Sequence, residues 1–236
     1  MLENKLPDDK PAGFNAWHIG NYQTLLGNII EVAEIAIDEE ESRKEAEHQR
    51  DEAQNHLRYD ELTHALTEYG LAERLHKLKN PKGILLLDGT NTKAANDNWG
   101  RQAGNEAIKT IYFCALSSVR PSDLIVRLNR AGDEFLIVLD GDETKPDNSE
   151  MFAIEERRQE YENTLSHLHE VKVSIVSRMQ EVRSRYPELA EINLDVAVGI
   201  SVWDTSKSLD QIIDEAEIDM HTHKDDQHKN GQHRAA

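Results

Sequence analysis

The stretch L-I-V-R-L-N-R-A-G-D-E-F-L-I-V-L, residues 124–139, decides the fold of this chain. It contains two apolar runs, 124–128 and 135–139, and each of them is short enough to be a buried strand. A short turn that contains glycine separates the runs, which is the signal of a β-hairpin. The sequence therefore predicts a hairpin whose turn carries Asp133 and Glu134.

The segments on either side of this hairpin alternate between helical and extended patterns. The predicted helices lie at 60–79, 94–118, 148–186 and 208–224, and the other two strands lie at 83–88 and 194–203. In the last strand every second residue is apolar, which is typical of a strand with one buried face. The resulting order β-α-β-β-α-β predicts a domain of the α/β (α+β) class with a ferredoxin-like sheet.

A long helix is predicted at 17–58, ahead of the first strand. Apolar residues recur at helical spacing through 22–37 and form one face, whereas the rest of the helix is charged almost throughout. Nothing evident within the chain covers this face, so we expect a second copy of the same helix to pair with it. The prediction is a helical dimerisation or signalling segment at 1–57, followed by a domain at 58–236 that ends in a loose tail.

The composition limits the range of partners and compartments. The 236 residues include 45 acidic and 27 basic side chains, for a formal net charge of -18 at pH 7. This acidity argues against a nucleic-acid backbone or an anionic membrane as the main partner, since both require basic surface. No apolar run reaches the roughly 18 residues of a membrane span, and the N-terminus has no signal-peptide pattern. The lone Cys114 suits a reducing compartment, so we expect a cytoplasmic protein with a buried, inert thiol.

Three acidic residues that are distant in sequence converge in this topology. Asp88 ends the first strand, and the turn that carries Asp133 and Glu134 lies beside that strand end in a ferredoxin-like sheet. Clustered carboxylates repel one another unless a cation sits between them, and Mg²⁺ prefers a few carboxylates together with substrate phosphates. A two-metal site of this kind would activate a hydroxyl and clamp a triphosphate. Spacing alone leaves a second interpretation open, in which these acids are solvated and serve only the turn.

The local sequences around these acids resemble one known family. A-G-D-E-F at 131–135 is similar to the signature hairpin of GGDEF domains, with alanine in place of the first glycine. The segment 85–107 resembles the family's first strand and following helix, D-x-D-x-F-K-x-x-N-D-x-x-G-H-x-x-G-D. Further similarities, to the entry motif, the last core strand and the closing helix, lie at 60–66, 196–201 and 216–224. The motifs occur in the family's order, and together they are far more specific than any one of them.

This resemblance implies a palm-type cyclase domain with a defined activity. Members of the family are diguanylate cyclases, which use Mg²⁺ or Mn²⁺ to condense two GTP molecules into cyclic di-GMP and diphosphate. Two domains face each other, and the 3′-hydroxyl of each GTP attacks the α-phosphate of the other, so that positioning and charge neutralisation do most of the work. The resemblance therefore implies a homodimer that binds GTP and cyclic di-GMP.

The resemblance also assigns roles to individual residues. Asp88, the backbone carbonyl of Gly89 and Asp133 would bind the metal, and Asp133 with Glu134 would form the catalytic acidic pair. The other implied positions bind substrate or product: Lys93 and Lys224 meet the triphosphate, Asn96 and Asn105 read the base, and Arg120 with Asp123 form an inhibitory product site of the R-x-x-D type.

Several positions depart from the family pattern. Ala131 replaces a glycine that lets the turn approach the substrate closely. Thr90 replaces the second aspartate of D-x-D, Thr92 replaces an aromatic residue, and His64 replaces the glycine of the entry motif. Asn105 replaces an aspartate that accepts from guanine, and an amide could instead pair with adenine.

Two alternatives to an active diguanylate cyclase therefore remain open. One is a degenerate module that binds GTP or cyclic di-GMP without turnover and signals through its helix. The other is a cyclase with relaxed base choice, in which Asn105 weakens the discrimination against ATP by at least about tenfold.

Overall fold

The computed structural model describes residues 12–128, 132–141 and 154–232 of the chain. Side chains are described for 24–128, 132–141 and 157–222. Two compact units make up the chain, Met1–Gln54 and Asn55–Ala236.

Among the described residues, the second unit is built around a four-stranded antiparallel sheet. Its strands are β1 (Pro81–Thr90), β2 (Leu124–Arg127), β3 (Glu134–Asp140) and β4 (Asp195–Val202), in the spatial order β2-β3-β1-β4. The helices of this unit are α2 (Glu68–Leu75), α3 (Thr92–Trp99), α4 (Arg101–Leu116), α5 (Ile154–Arg185), α6 (Pro187–Glu191) and α7 (Leu209–Gln232). The strand order and the antiparallel pairing confirm the predicted ferredoxin-like fold.

Helices cover both faces of the sheet. Along β1, Leu85 and Leu87 belong to a cluster that includes residues of α4 and α5, whereas Ile84 and Leu86 belong to a cluster with α2 and α7. All of these side chains are buried, which explains why this strand is apolar at successive positions. Because β1 is packed on both faces, the position of the residues at its C-terminal end is fixed.

The helix α1 (Ala12–Arg58) runs through the first unit, as predicted. Its large apolar side chains between residues 25 and 37 are each more than half exposed, although residues of this type are usually buried. They are Leu25, Leu26, Ile29, Ile30, Val32, Ile35 and Ile37. The side chain of Tyr22 lies outside the described residues. No described helix is long and apolar enough to cross a membrane.

The prediction of one helix at 60–79 is wrong, because the first part of this segment is a turn. The Asp60 carboxylate accepts hydrogen bonds from the N–H and the hydroxyl of Thr63 at 2.9 and 2.7 Å, and such contacts compete with helix formation. His64 then has φ of 62°, in the left-handed region, where glycine is better tolerated. Helical structure in this segment is therefore confined to α2.

The predicted helix at 94–118 is two helices. Gly100 separates α3 from α4 and has φ of 85°, a value that other residues rarely adopt. Side chains from both helices line one cleft.

The charged helix predicted at 148–186 also differs from the structure at its end. α5 ends at Arg185, and Pro187 is the first residue of a further short helix, α6. Proline is well tolerated at a first helical position, where its N–H would have no partner. The predicted start near residue 148 lies outside the described residues.

A buried ion pair joins the turn at 60–66 to the hairpin. Arg127, the last residue of β2, donates to both carboxylate oxygens of Asp60 at 2.9 and 3.0 Å, and both residues are only 5% exposed. The same guanidinium donates to the carbonyl oxygen of Gly132 at 2.7 and 3.1 Å. Burial raises the pKa of Asp60, but hydrogen bonds from Thr63 and Arg127 outweigh this effect, so the pKa lies below its ordinary value. The pair thereby anchors the turn that precedes Asp133.

Other parts of the unit occupy both edges of the sheet. At the β2 edge, Leu66 forms a parallel backbone bridge with Val126. At the β4 edge, the Asp219 carboxylate of α7 accepts hydrogen bonds from Ile200 N–H and from the Lys172 side chain of α5, both at 3.0 Å. These contacts engage backbone groups that could otherwise pair with another chain.

We expect Asp60→Ala to lower the free energy of unfolding by about 3–5 kcal/mol, because it leaves the guanidinium of Arg127 buried without its partner. Urea denaturation at pH 7 measures the loss. Glu73→Ala is the matched control, since it removes the more exposed Arg58–Glu73 pair and should cost much less. The contribution of Asp60 is present above its ordinary pKa of 3.8 and is lost as the pH falls through the lower folded-state pKa. Equal losses in the two variants would contradict this role.

Candidate active site

The backbone brings the predicted acids to one end of the sheet. Asp88 on β1 and Glu134 on β3 are directly opposite each other in the antiparallel register. One position further along, Gly89 N–H donates to the backbone oxygen of Asp133 at 3.3 Å. The end of β1 and the hairpin turn therefore lie side by side, as the topology predicts.

Gly89 lies against the Asp133 carboxylate. A Cβ atom at this position would be 2.8 Å from Asp133 Oδ2, 2.8 Å from Thr92 Cγ2 and 2.7 Å from Ile111 Cδ1. These separations are too short for non-bonded carbon and oxygen atoms, so a larger residue would force its neighbours apart. Glycine thus keeps the backbone of β1 within reach of this carboxylate.

The hydroxyl of Thr92 donates a hydrogen bond to Asp133 Oδ2. Thr92 is the first residue of α3 and is buried, and the preceding Asn91 has φ of 66°. This sharp turn from β1 into α3 carries the threonine to the signature hairpin. One oxygen of Asp133 is therefore oriented by a side chain that departs from the D-x-D-x-F pattern.

The oxygen atoms at this end of the sheet suit a hard divalent cation. They belong to the carboxylates of Asp88 and Asp133 and to the backbone carbonyl of Gly89, which lie on one strand end and the adjoining turn. Within the described ranges, no three acidic, histidine or cysteine side chains are grouped so that they could hold a metal by themselves. Mg²⁺ usually takes one or two carboxylates and completes its shell with water and substrate phosphates. The residues present fit a cation that shares its ligands with a bound substrate.

A cleft of about 410 Å³ opens beside the turn at 60–66. Its lining residues are Asp60, Glu61, Leu62, Asn96, Arg101, Asn105, Ile108 and Arg127. Asn96 from α3 and Asn105 from α4, both predicted to read the base, therefore border the same space. A Cβ at Gly104 would lie 2.0 Å from Asn96 Oδ1, so the glycine makes room for this amide. Amides beside the apolar Leu62 and Ile108 suit a planar ring with polar edges.

The structure describes the side chain of one of the two lysines that are predicted to bind phosphate. Lys93 is exposed on α3 and follows Thr92, whose hydroxyl contacts Asp133. Lys224 belongs to α7, but its side chain lies outside the described residues, as does the whole of Ala131.

The R-P-S-D segment at 120–123 lies at the opposite end of the hairpin from Asp133. Asp123 Oδ2 accepts from Arg120 N–H at 2.7 Å, and its Oδ1 accepts from Asp140 N–H at 3.0 Å. Both carboxylate oxygens therefore hold backbone groups, at the start of β2 and the end of β3. The side chain of Arg120 is at the surface.

Cys114 is a buried thiol, as predicted. It is 4% exposed, and its Sγ lies 4.0 Å from Met179 Sδ. Burial raises its pKa to about 11, so the thiolate that nucleophilic chemistry requires is scarce at neutral pH. Cys114 packs the core and is separate from the acidic site.

Residues 59–230 match the family model described as "Diguanylate cyclase, GGDEF domain". This range contains the sheet, the contact between Gly89 and Asp133, and the cleft. The chain belongs to the GGDEF diguanylate cyclase family. Its signature hairpin is β2–β3, and its entry motif is the turn at 60–66.

Two curated relatives from Escherichia coli (strain K12) are similar to parts of this GGDEF chain. Probable diguanylate cyclase DgcT is 34% identical over 82 residues, which are 35% of this chain and 17% of DgcT. Diguanylate cyclase DosC is 27% identical over 139 residues, which are 58% of this chain and 25% of DosC. The matches thus span a quarter or less of these relatives' length.

Solved structures of GGDEF proteins have a similar fold. The coiled coil and GGDEF domain of DgcB from Caulobacter crescentus, in complex with c-di-GMP, has a TM-score of 0.53 at 19% identity and covers 81% of this chain and 93% of its own. Diguanylate cyclase SiaD from Pseudomonas aeruginosa, in complex with its activator SiaC, has a TM-score of 0.50 at 16% identity and covers 91% of this chain and 75% of its own. At these identities the likeness concerns the fold alone, and the fold is the palm-type fold of GGDEF domains.

Two arginines of the cleft have no role in the sequence-based predictions. Arg127 anchors the GGDEF turn through Asp60 and Gly132. Arg101 precedes Asn105 by four residues on α4. That spacing indicates from the sequence alone that the two residues share a helix face. The sequence of β2, in contrast, gives no indication that Arg127 is buried.

We expect Gly89→Ala to destabilise the GGDEF unit by about 1–3 kcal/mol, because the added methyl group has no room beside Asp133, Thr92 and Ile111. Urea denaturation followed by tryptophan fluorescence measures the change. Gly27→Ala is the matched control, since a Cβ there meets nothing within 4 Å and alanine favours the helix. If Gly89→Ala is as stable as the control, the contact is not crowded.

Proposed function

We propose that this chain is a diguanylate cyclase that condenses two GTP molecules into cyclic di-GMP and diphosphate. The observation that carries the proposal is the approach of Gly89 to the Asp133 carboxylate, next to Asp88 at the end of the central strand. A side-chain-free backbone position with two acids beside it provides the oxygen ligands that metal-assisted triphosphate chemistry uses. Membership of the GGDEF family supports the same reaction.

In this proposal, Asp88, the carbonyl of Gly89 and Asp133 would hold a divalent cation, Mg²⁺ or Mn²⁺. Such a cation would neutralise triphosphate charge and make a nearby hydroxyl more acidic. Glu134, which faces Asp88 across the strands, adds negative charge that favours cation binding.

The protein's own groups position the reactants. Asn96 and Asn105 hold the base in the cleft, and Lys93, with Lys224, meets the triphosphate as a point charge. Asp133 orients the 3′-hydroxyl and accepts its proton as the oxygen attacks the α-phosphate of the opposite GTP. The bond from the α-phosphate to the β-phosphate breaks, and diphosphate leaves. Correct positioning of reactants can supply much of the rate enhancement in such a reaction.

The reaction requires two copies of the chain, because each GGDEF domain holds one GTP. We assign dimerisation and signalling to residues 1–57 and catalysis to 58–236. The exposed apolar residues of α1, from Leu25 to Ile37, support this assignment, since a symmetric pair of helices would bury the same patch on both copies.

The remaining predicted properties follow the same proposal. Arg120 would bind cyclic di-GMP as an inhibitory product, with its guanidinium on the edge of a guanine, and Asp123 would shape that site through its backbone contacts. The DgcB structure is a complex with c-di-GMP, which supports product binding in this family. The buried thiol and the acidic charge fit a cytoplasmic protein that contacts neither nucleic acid nor the membrane interior.

A second candidate function is a non-catalytic module that binds GTP or cyclic di-GMP. The hydrogen bond from Thr92 to Asp133 favours it, because the hydroxyl engages one of the two oxygens of the carboxylate that the catalytic proposal gives to the metal. A cyclase that also accepts ATP is a further candidate, favoured by Asn105 in the cleft.

We expect Asp133→Ala and Glu134→Ala each to reduce cyclic dinucleotide synthesis to below about one hundredth of the wild-type rate, because each removes charge or a ligand at the metal site. Product formation from GTP with Mg²⁺ is followed by chromatography. Glu170→Ala is the control, since this exposed acid of α5 lies outside the site. Thermal unfolding checks that all three variants fold. Unchanged turnover in the Asp133 variant would reject the cyclase proposal.

We expect Leu26→Glu combined with Ile29→Glu to shift the full-length protein from dimer to monomer, because buried charges would oppose pairing of the apolar face. Light scattering measures the molar mass, and synthesis of cyclic di-GMP should fall with it. Ser42→Glu, in the charged half of α1, adds charge without touching that face and should leave the dimer intact. If all variants have the same mass, α1 is not the dimerising segment.

A further inference from the structure

Arg101 borders the proposed base-binding cleft from the same helix as Asn105. The two residues are four apart on α4, so their side chains project from one helical face. Ile108 continues this wall of the cleft, and Leu62 lines it from the entry turn. A planar base held against these apolar side chains would meet polar groups at its edge.

The guanidinium of Arg101 is exposed and has no hydrogen bond or ion pair with any residue that the structure describes. The other arginine of the cleft, Arg127, is buried and is committed to Asp60 and Gly132. Of the two arginines that line the cleft in the described chain, Arg101 is therefore the one that can serve a ligand. Its planar fork offers parallel N–H donors in a fixed geometry.

This chain differs from the family pattern at two linked positions of the cleft. Where the pattern reads G-H-x-x-G-D, the chain has Arg101 and Asn105. Asparagine in place of aspartate removes an acceptor for two guanine donors, and arginine in place of histidine adds a permanent cation with several donors. The chain thus loses a hydrogen-bond acceptor at Asn105 and gains N–H donors at Arg101, about one helical turn away.

We propose that Arg101 determines base specificity in this cleft by donating to O6 and N7 of guanine. This inference rests on the proposed function, since it names the residue that reads the base of the same substrate. Guanine presents two adjacent acceptors at O6 and N7, which an arginine fork matches bidentately. Adenine presents an acceptor at N7 but an amino donor beside it, which would face a second donor of Arg101.

The inference changes the expected substrate preference. Asn105 by itself accommodates either purine, because its amide both donates and accepts. Arg101 in the same cleft accommodates guanine and rejects adenine. Asn105 and Arg101 together predict a cyclase that still prefers GTP over ATP, because Arg101 recognises the O6 and N7 atoms of guanine.

Equilibrium binding to the full-length protein tests this assignment. The probes are 2′,3′-dideoxy-GTP, its 7-deaza analogue, in which carbon replaces N7, and 2′,3′-dideoxy-ATP, all with Mg²⁺; none of them has the attacking hydroxyl. The wild type should bind the GTP probe about tenfold more tightly than the 7-deaza probe, since one charge-assisted hydrogen bond is lost. Arg101→Met should weaken binding of the GTP probe by about tenfold and remove the difference between the two guanine probes, because methionine has no N–H donor.

Lys109→Met is the control for loss of one positive charge, because Lys109 is on the same helix but pairs with Glu106 outside the cleft. It should leave all three affinities unchanged. Equal weakening of all three probes by Arg101→Met would assign Arg101 to the triphosphate and overturn the inference. Equal wild-type affinity for the two guanine probes would also overturn it. Those results leave the proposed function intact, whereas a wild type that binds no probe would overturn both.

Discussion

Asp60 and Arg127 form a buried ion pair, and three parts of the GGDEF unit are attached to it. Asp60 closes the entry turn through Thr63. Arg127 ends β2 and at the same time holds the carbonyl of Gly132 in the signature turn. A buried charge without its partner is costly, so the entry turn, the edge strand and the signature turn cannot easily separate. The position of Asp133, one residue beyond Gly132, depends on this arrangement.

The acidic site and the cleft are assembled mainly by backbone geometry. β1 is held in the middle of the sheet by apolar side chains on both faces, and its end meets the hairpin turn at Gly89. The chain then turns sharply at Asn91 and again at Gly100, both of which have positive φ. These turns direct α3 and α4 so that amides from both helices line the cleft. Few side chains are needed to fix the site, because the strand register and two turns already do so.

The hairpin, the sheet order and the meeting of Asp88 with Glu134 could be predicted, because apolar runs and their spacing determine which strands are buried and how they connect. The sequence predicts a helix where the structure has a turn at the start of 60–79. A helix-compatible composition gives no indication that the Asp60 carboxylate accepts hydrogen bonds from Thr63 and forms a buried ion pair with Arg127. The break at Gly100 was missed because a single glycine inside an apolar helical pattern is often tolerated. The roles of the two arginines of the cleft could not be predicted, because they depend on which arginine already forms an ion pair. The partner of Arg127 is Asp60, which is distant in sequence.

The backbone bridge between Leu66 and Val126 also determines where this domain can be joined to other proteins. Leu66 precedes the first helix of the GGDEF unit, yet its backbone covers the edge of the sheet. A recombination event that cut the gene after this residue would expose β2, and open strand edges promote association with foreign chains. The exchangeable module therefore begins ahead of Leu66 and includes Arg58 and Tyr59, whose backbones also contact the entry turn. In an engineered fusion, the entry turn must therefore stay with the GGDEF unit.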